Sequence, residues 1–429
     1  MKKVAFITLG CKVNTYETEG MKRLFEESGY QITEPEHPAD VYIINTCTVT
    51  HLSDRKSRQM IRRAKRINPD AIVAAVGCYA QVAPDEVSAI EGVNLVIGNN
   101  HKADIVKLVN EASNNSQRTE VSERKFLKDY ENLWIDSYGE RIRAILKIQD
   151  GCDQFCSYCI IPFARGNVRS RDPGDILKEA KRLSENGFSE IVLTGIHLTS
   201  YGKDTGGMSL IDILNGLNGI EGVKRIRLGS LEPLYMSPDL IKRLSGLEKL
   251  CPHFHLSLQS GCDDTLRRMN RKYTTNDYMN IVSNIRNSFM DAAITTDIMV
   301  GFPGETDGEF NKTCSFVEQV GFSQAHIFQY SKRKGTRAAD MENQVPSSVK
   351  ERRSKILFDI CEKSKNNYRD MLPGRAMEVL FENEKEGMWE GHTANYVPVR
   401  VVSEKPLAGC IYKVKLIERR EDYILGQIA

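Results

Sequence analysis

The stretch Gly151-Cys152-Asp153-Gln154-Phe155-Cys156-Ser157-Tyr158-Cys159 sets three cysteines in a C-x3-C-x2-C spacing just after the strand-like run Arg143 to Gln149. Three thiolates on one tight loop can hold three irons of a 4Fe-4S cluster and leave the fourth free. A closed structural site wants four ligands, and zinc sites usually split their cysteines into two C-x2-C pairs. The open loop therefore argues for a cluster that binds a substrate or cofactor. Polar residues interleave the cysteines, which does not suit three small thiols in an apolar core.

A second set is dispersed. The apolar run Lys3 to Leu9 leads to Gly10-Cys11, Asp40 to Asn45 to Thr46-Cys47, and Ala71 to Val76 to Gly77-Cys78, with helical patterns near Tyr16 to Ser28, Leu52 to Ile67 and Pro84 to Ile90. This alternation reads as a parallel sheet with crossover helices, a three-layer domain whose strands end on one edge. Cys11, Cys47 and Cys78 are expected to converge there and to make a second cluster with an open iron. Three unrelated core cysteines are the alternative.

The three-cysteine loop, with its aromatic before the last cysteine, resembles the signature loop of the radical S-adenosylmethionine (radical SAM) superfamily. The phrases Thr8-Leu9-Gly10-Cys11-Lys12-Val13-Asn14, Asn45-Thr46-Cys47-Thr48-Val49 and Gly77-Cys78-Tyr79-Ala80-Gln81 resemble the amino-terminal domain of the methylthiotransferases. The resemblance continues through Ile160 to Gly166, Arg169-Ser170-Arg171 and His255 to Gly261. It implies that Cys152, Cys156 and Cys159 hold the cluster that chelates SAM, with Tyr158 against the adenine. It equally implies that Cys11, Cys47 and Cys78 hold an auxiliary 4Fe-4S cluster carrying the sulfur to be inserted. The wording Leu-Gly-Cys-Lys-Val-Asn is closer to the threonylcarbamoyladenosine tRNA branch than to the isopentenyladenosine branch or the branch acting on a ribosomal-protein aspartate. Cys262 departs from the family, where serine is expected after Gln-Ser-Gly.

The chain's 429 residues, 41% of them hydrophobic, suffice for two or three cores. Eleven cysteines without a pairing pattern indicate a reducing compartment, and no run approaches the roughly 18 apolar residues of a membrane span. A cytoplasmic location without membrane association is expected. Residues 1–130 form the expected amino-terminal domain, and polar Asn110 to Asp129 reads as a surface linker. Strands recur at Ile142 to Gln149, Glu190 to Thr194, Lys224 to Gly229, His253 to Leu258, Ile294 to Val300 and Ala325 to Tyr330. They predict a partial (β/α)6 barrel over 138–368 with its chemistry at the strands' carboxyl ends. Thr194, Gly195, Ser230, Gln259 and Gly301 terminate these strands. The resemblance makes them SAM contacts, whereas each glycine alone is also an ordinary turn. Residues 370–429 carry five short alternating runs, a small antiparallel barrel. Its place resembles the RNA-binding TRAM module, while its nearly balanced charges also fit a structural barrel.

Net charge is only +2, so nucleic-acid binding must come from patches. Arg58, Arg62 and Arg66 recur at i, i+4 on one predicted helix and could track phosphates; Lys332 and Arg333 follow the last barrel strand. The reading reached here is methylthiolation of carbon 2 of N6-threonylcarbamoyladenosine beside the anticodon. It takes two 4Fe-4S clusters, SAM as both methyl donor and radical source, a reducing partner such as flavodoxin or ferredoxin, and a monomeric chain. No catalytic residue beyond the cluster ligands is assigned. Isopentenyladenosine and the ribosomal-protein aspartate are the rival substrates. A non-enzymatic iron-sulfur RNA-binding redox sensor is the rival of another class.

Overall fold

In the computed structural model, which describes residues 1–113, 117–136, 138–139 and 141–429, β1 (Lys3–Thr8), β2 (Gln31–Thr33), β3 (Val41–Thr46), β4 (Ile72–Gly77), β5 (Leu95–Ile97) and β6 (Arg118–Glu120) form one parallel sheet. Its order is β2-β1-β3-β4-β5-β6. The connecting helices are α1 (Lys12–Glu27), α2 (His51–Ile67), α3 (Cys78–Val82), α4 (Pro84–Ser88) and α5 (Ile105–Glu111). Alternate residues of β3 and β4 feed opposite layers, as in a sheet covered on both faces. Tyr42, Ile44, Val73 and Ala75 pack with Ile61 and Ala64 of α2, while Ile43, Ala74 and Val76 pack with Met21 and Phe25 of α1. The stretch expected to be a linker contains β6, an edge strand pairing with β5; three residues are too few to show a period. Residues 114–116 of that stretch lie outside the described residues.

The second unit is an open parallel barrel. Its strands are β7 (Arg143–Lys147), β8 (Gln149–Asp150), β9 (Arg169–Ser170), β10 (Glu190–Thr194), β11 (Arg225–Leu228), β12 (Ser230–Leu231), β13 (His253–Leu256), β14 (Ala293–Val300) and β15 (Gln324–Gln329). β7, β10 and β11 pair on one side of a break at Gly229, and β12 to β15 pair on the other. Gly229 is where a side chain would press on the Leu193 carbonyl, its Cβ falling 3.0 Å away. β8 and β9 instead form a small antiparallel ladder that clasps the segment between them, which holds the three-cysteine loop and α6 (Ile161–Arg165). Ala144, Leu146, Ile191, Leu193, Ile226 and Leu228 face outward into the helix-covered core. Arg143, Lys147, Glu190, Arg225 and Arg227 share the opposite, inner face.

Five strands, β16 (Ala376–Lys385), β17 (Met388–Thr393), β18 (Pro398–Val401), β19 (Ile411–Arg419) and β20 (Ile424–Ile428), close a barrel at the carboxyl terminus. It is antiparallel except where β18 runs parallel to β20. The turn between β17 and β18 stops the bottom of the larger barrel. Tyr396 stands between the guanidiniums of Arg143 and Arg227, 4.9 and 4.7 Å from its ring centre, and stacks on His392. Among the described residues no helix is long and apolar enough to cross a membrane.

Candidate active site

The three-cysteine loop is held rigidly by backbone. Gly151 adopts φ +72, and a Cβ there would fall 1.8 Å from the Asn167 carbonyl, so only glycine fits. Cys152 N–H donates to the Gly166 carbonyl (3.0 Å), Cys159 N–H to that of Cys156 (2.9 Å), and Ser157 is bonded at both its N–H and its carbonyl. Burial, with the neighbouring Cys156 adding, pushes the Cys152 thiol up to about 12; burial and the other two cysteines also raise Cys159. Three crowded thiols, as thiolates, want a cationic centre, and the donor set fits an iron-sulfur cluster. Arg271 is the local cation. It donates to Cys156 Sγ (3.3 Å) and to Glu232 (2.7 Å).

The dispersed cysteines meet at the carboxyl edge of the amino-terminal sheet. Cys11 precedes α1, Cys47 follows β3 and Cys78 opens α3. A Cβ on Gly10 would lie 3.0 Å from Cys47 Sγ, so the strand-end glycine makes room for a thiol. Burial and the charges of Cys78 and Cys11 raise Cys47 to about 11, and burial likewise raises Cys11 despite relief from Arg165. This donor set also fits a cluster. Solvent reaches Cys11, yet protein surrounds it, as in a cavity.

Arg165 joins the two loops. Fully buried at the end of α6, it donates Nε to Cys78 Sγ (3.2 Å), Nη1 to Glu17 (2.7 Å) and Asp150 (3.1 Å), and Nη2 to Asn14 (2.7 Å). Lys147 closes the network on Glu17 (2.8 Å) and Asp150 (2.6 Å), and Lys102 lies 3.4 Å from Glu17. These cations hold both carboxyls below the usual carboxylate range against burial, which pushes the other way. Charges this deep persist only when matched. The network therefore locks the residues after Cys11 to the residues before Cys152.

The strands of the larger barrel surround a lumen. Its inner face is polar: His255 Nε2 is 3.3 Å from Asp297 and His255 Nδ1 3.1 Å from Thr295 Oγ1, while Phe328 is 47% exposed. Lys12, next to Cys11, is exposed and pairs with no carboxylate among the described residues.

The residues expected to contact SAM occupy the mouth. Tyr158 meets Phe302 edge-on (6.4 Å), Thr194 ends β10, Ser230 is exposed in the break after β11, and Gln259 adopts φ +70 between Asp297 and Met299. At the glycines a side chain has no room: a Cβ on Gly195 would meet Gln149 at 2.8 Å and one on Gly301 would meet Lys350 at 2.4 Å. His197, which carries no sequence signal, is buried beside the mouth with neither ring nitrogen bonded, and burial lowers it to about 4. Arg165 lies within the run Ile160 to Gly166 that carries the family resemblance, but nothing in that run marks its role; Arg271 has no sequence signal.

Of the basic residues, Arg62 and Arg66 are exposed, with no carboxylate partner among the described residues, while Arg58 donates to Tyr79 Oη (2.9 Å). They border a groove of about 940 Å³ lined also by Arg55 and Lys65, with Glu91 its one acid. Lys332 is exposed. Arg333 corrects the sequence expectation: it is buried, and its guanidinium is spent on Asp54 (2.5 Å) and Thr48 Oγ1 (2.5 Å), docking α2 to the barrel mouth. A run of basic residues cannot reveal a partner some 280 positions away.

Comparison with known proteins agrees with this architecture. Residues 3–98 match the uncharacterized protein family UPF0004 and residues 146–317 the radical SAM superfamily. Threonylcarbamoyladenosine tRNA methylthiotransferase MtaB of Bacillus subtilis is 42% identical over 100% of this chain and 96% of its own length. Its Thermotoga maritima namesake is 38% identical over 99% and 97%. The tRNA-2-methylthio-N(6)-dimethylallyladenosine synthase of Acetivibrio thermocellus is 36% identical over 95% and 87%. Among solved structures, the radical S-adenosylmethionine methyltransferase TsrM from Kitasatospora setae superposes with a TM-score of 0.58 at 13% identity, covering 76% of this chain and 73% of that one, a likeness of fold. With relatives this similar along its whole length, and with an open barrel presenting a three-cysteine loop at its mouth, this chain is an enzyme of the radical SAM methylthiotransferase family.

Proposed function

We propose that the chain methylthiolates carbon 2 of N6-threonylcarbamoyladenosine beside the anticodon of tRNA, with Cys152, Cys156 and Cys159 holding the SAM cluster and Cys11, Cys47 and Cys78 an auxiliary cluster that carries the sulfur. What supports this reading is the pair of three-thiol sets tied together through Arg165, which donates to Cys78 of one set and to Asp150 just before the other. When bound, SAM and the clusters supply the methyl group, the sulfur, the electron and the radical that an unactivated purine C–H requires. The chain's own residues do the rest. Gly10 leaves room for the Cys47 thiol, Gly151 lets the loop pass the Asn167 carbonyl, and Arg165 and Arg271 each set an N–H on one thiol. Phe328 offers an aromatic face to a splayed base.

Arg62 and Arg66 on the exposed face of α2 and Lys332 after β15 meet phosphates of the anticodon arm in this reading, and the carboxyl-terminal barrel is the second RNA-binding surface. The division into residues 1–130, 138–368 and 370–429, a monomeric state, a flavodoxin or ferredoxin as reductant and a cytoplasmic location belong to the same reading. Nucleoside mass spectrometry of tRNA from cells lacking this chain tests it. The 2-methylthio form of threonylcarbamoyladenosine should vanish and its unthiolated parent accumulate. Loss of the dimethylallyl counterpart would transfer the enzyme to the other tRNA branch.

A further inference from the structure

We infer that Asp297 and His326 are specificity-determining residues that read the N6 and N7 edge of the target adenine, an inference that rests on the proposed substrate. On β14 and β15 alternate residues turn inward: Ile294, Ile298 and Val300 pack into the outer core, and Ala325 and Ile327 lie against it. Asp297 and His326 are therefore inward neighbours, paired across the two strands, and Met299 and Phe328 form the next inward pair toward the mouth. This layer stands clear of the floor. His253 meets the stopper Tyr396 at 5.2 Å between ring centres, and His255, paired with Thr295, lies two residues, about 7 Å, farther along the same strand. The hydrogen-bonding groups of the layer are unspent. The Asp297 side chain is 31% exposed and accepts no hydrogen bond among the described residues, although His255 Nε2 lies 3.3 Å away. His326 is exposed, 6.2 Å from the His255 ring, with neither ring nitrogen bonded to a described residue. An acceptor, a donor and the exposed face of Phe328 thus stand side by side on one wall.

Adenine presents the complement. Its N6 keeps one hydrogen after acylation and its N7 accepts, the two lying next to each other on one edge. The Asp297 carboxylate takes the N6–H in a charge-assisted bond, an imidazole N–H of His326 donates to N7, and Phe328 stacks on the ring. Carbon 2 lies across the six-membered ring from that edge. A wall that holds N6 and N7 therefore leaves carbon 2 pointing away from it, free to react. Guanine carries an oxygen in place of N6 and would set an acceptor against the carboxylate, which rejects it.

Three anticodon stem-loops separate the two contacts: one carries N6-threonylcarbamoyladenosine, one its N6-methyl derivative, which lacks the N6–H, and one its 7-deaza derivative, which lacks the N7 acceptor. Kd by fluorescence anisotropy and kcat/KM for methylthiolation are measured for reconstituted wild type, Asp297→Ala and His326→Ala, with iron content as the control for assembly. Wild type should lose about 10- to 100-fold in affinity for the N6-methyl loop and about 3- to 10-fold for the 7-deaza loop, with kcat/KM following. Asp297→Ala should no longer distinguish the N6-methyl loop from its parent yet stay sensitive to 7-deaza, and His326→Ala should do the reverse. A merely structural role would not give that crossed pattern. Wild type that binds all three loops equally, or a variant that keeps the discrimination its residue is assigned, would overturn the inference and leave the proposed substrate standing. Failure of wild type to bind and turn over the parent loop would overturn the proposed substrate and this inference with it.

Discussion

The two thiol sets are assembled by opposite routes. Cys152, Cys156 and Cys159 belong to one loop whose shape is dictated by its own backbone and by Gly151. Cys11, Cys47 and Cys78 come from three crossover units and meet only because parallel strands end on one edge. Each set has one buried arginine donating to a thiol, but their anchorage differs. Arg271 rests on Glu232 within the barrel, whereas Arg165 crosses from the barrel to Glu17 and Asn14 of the amino-terminal domain. The loop site is thus a local device. The strand-end site depends on how two domains dock.

The sharpest way to break that contrast is to remove each set in turn. Replacing Cys152, Cys156 and Cys159 by Ala should abolish formation of 5′-deoxyadenosine from SAM and halve the iron from about eight to about four per chain. Persistent cleavage in this variant would sink the assignment of the loop. Replacing Cys11, Cys47 and Cys78 by Ala should also leave about four irons, yet retain uncoupled SAM cleavage while methylthio product disappears. Wild-type product yield would reduce the strand-end cysteines to packing.

A smaller effect separates the arginines. Arg165→Ala leaves Glu17 and Asp150 short of a partner and should cost about 3–5 kcal/mol in urea unfolding. Arg271→Ala removes the ion pair of one carboxylate, Glu232, with bonds to Ser257, Tyr273 and Cys156 inside the barrel, and should cost less; the reverse order would contradict the view that Arg165 carries the docking. The smallest effect concerns the rim. Arg62→Gln with Arg66→Gln should flatten the salt dependence of tRNA binding by up to roughly 0.9 log units for each phosphate no longer neutralised. Arg333→Gln should instead lower the unfolding midpoint, because its guanidinium holds Asp54 and Thr48. A titration of affinity against salt, paired with a denaturation curve, tells the two kinds of arginine apart.

What the sequence makes legible follows the same divide. The open barrel, the crossover sheet and the strand-end thiols all rest on short apolar runs repeating at regular intervals, a signal contained within neighbouring residues. Arg165 and Arg333 act through partners more than a hundred positions distant, so no local pattern marks them. β6 is hidden because three residues in a polar stretch carry no alternation.

Tyr396, the stopper of the catalytic chamber, belongs to the carboxyl-terminal barrel. It is clamped between two arginines and backed by carbonyls of Glu378, His392 and Ala394 that accept from Arg225 and Arg227. Shortening the chain before residue 376 would therefore do more than remove a handle for nucleic acid. It would open the bottom of the barrel to water and leave Arg143 without Glu382 at the opening. A truncation intended to measure RNA affinity would also uncork the chemistry.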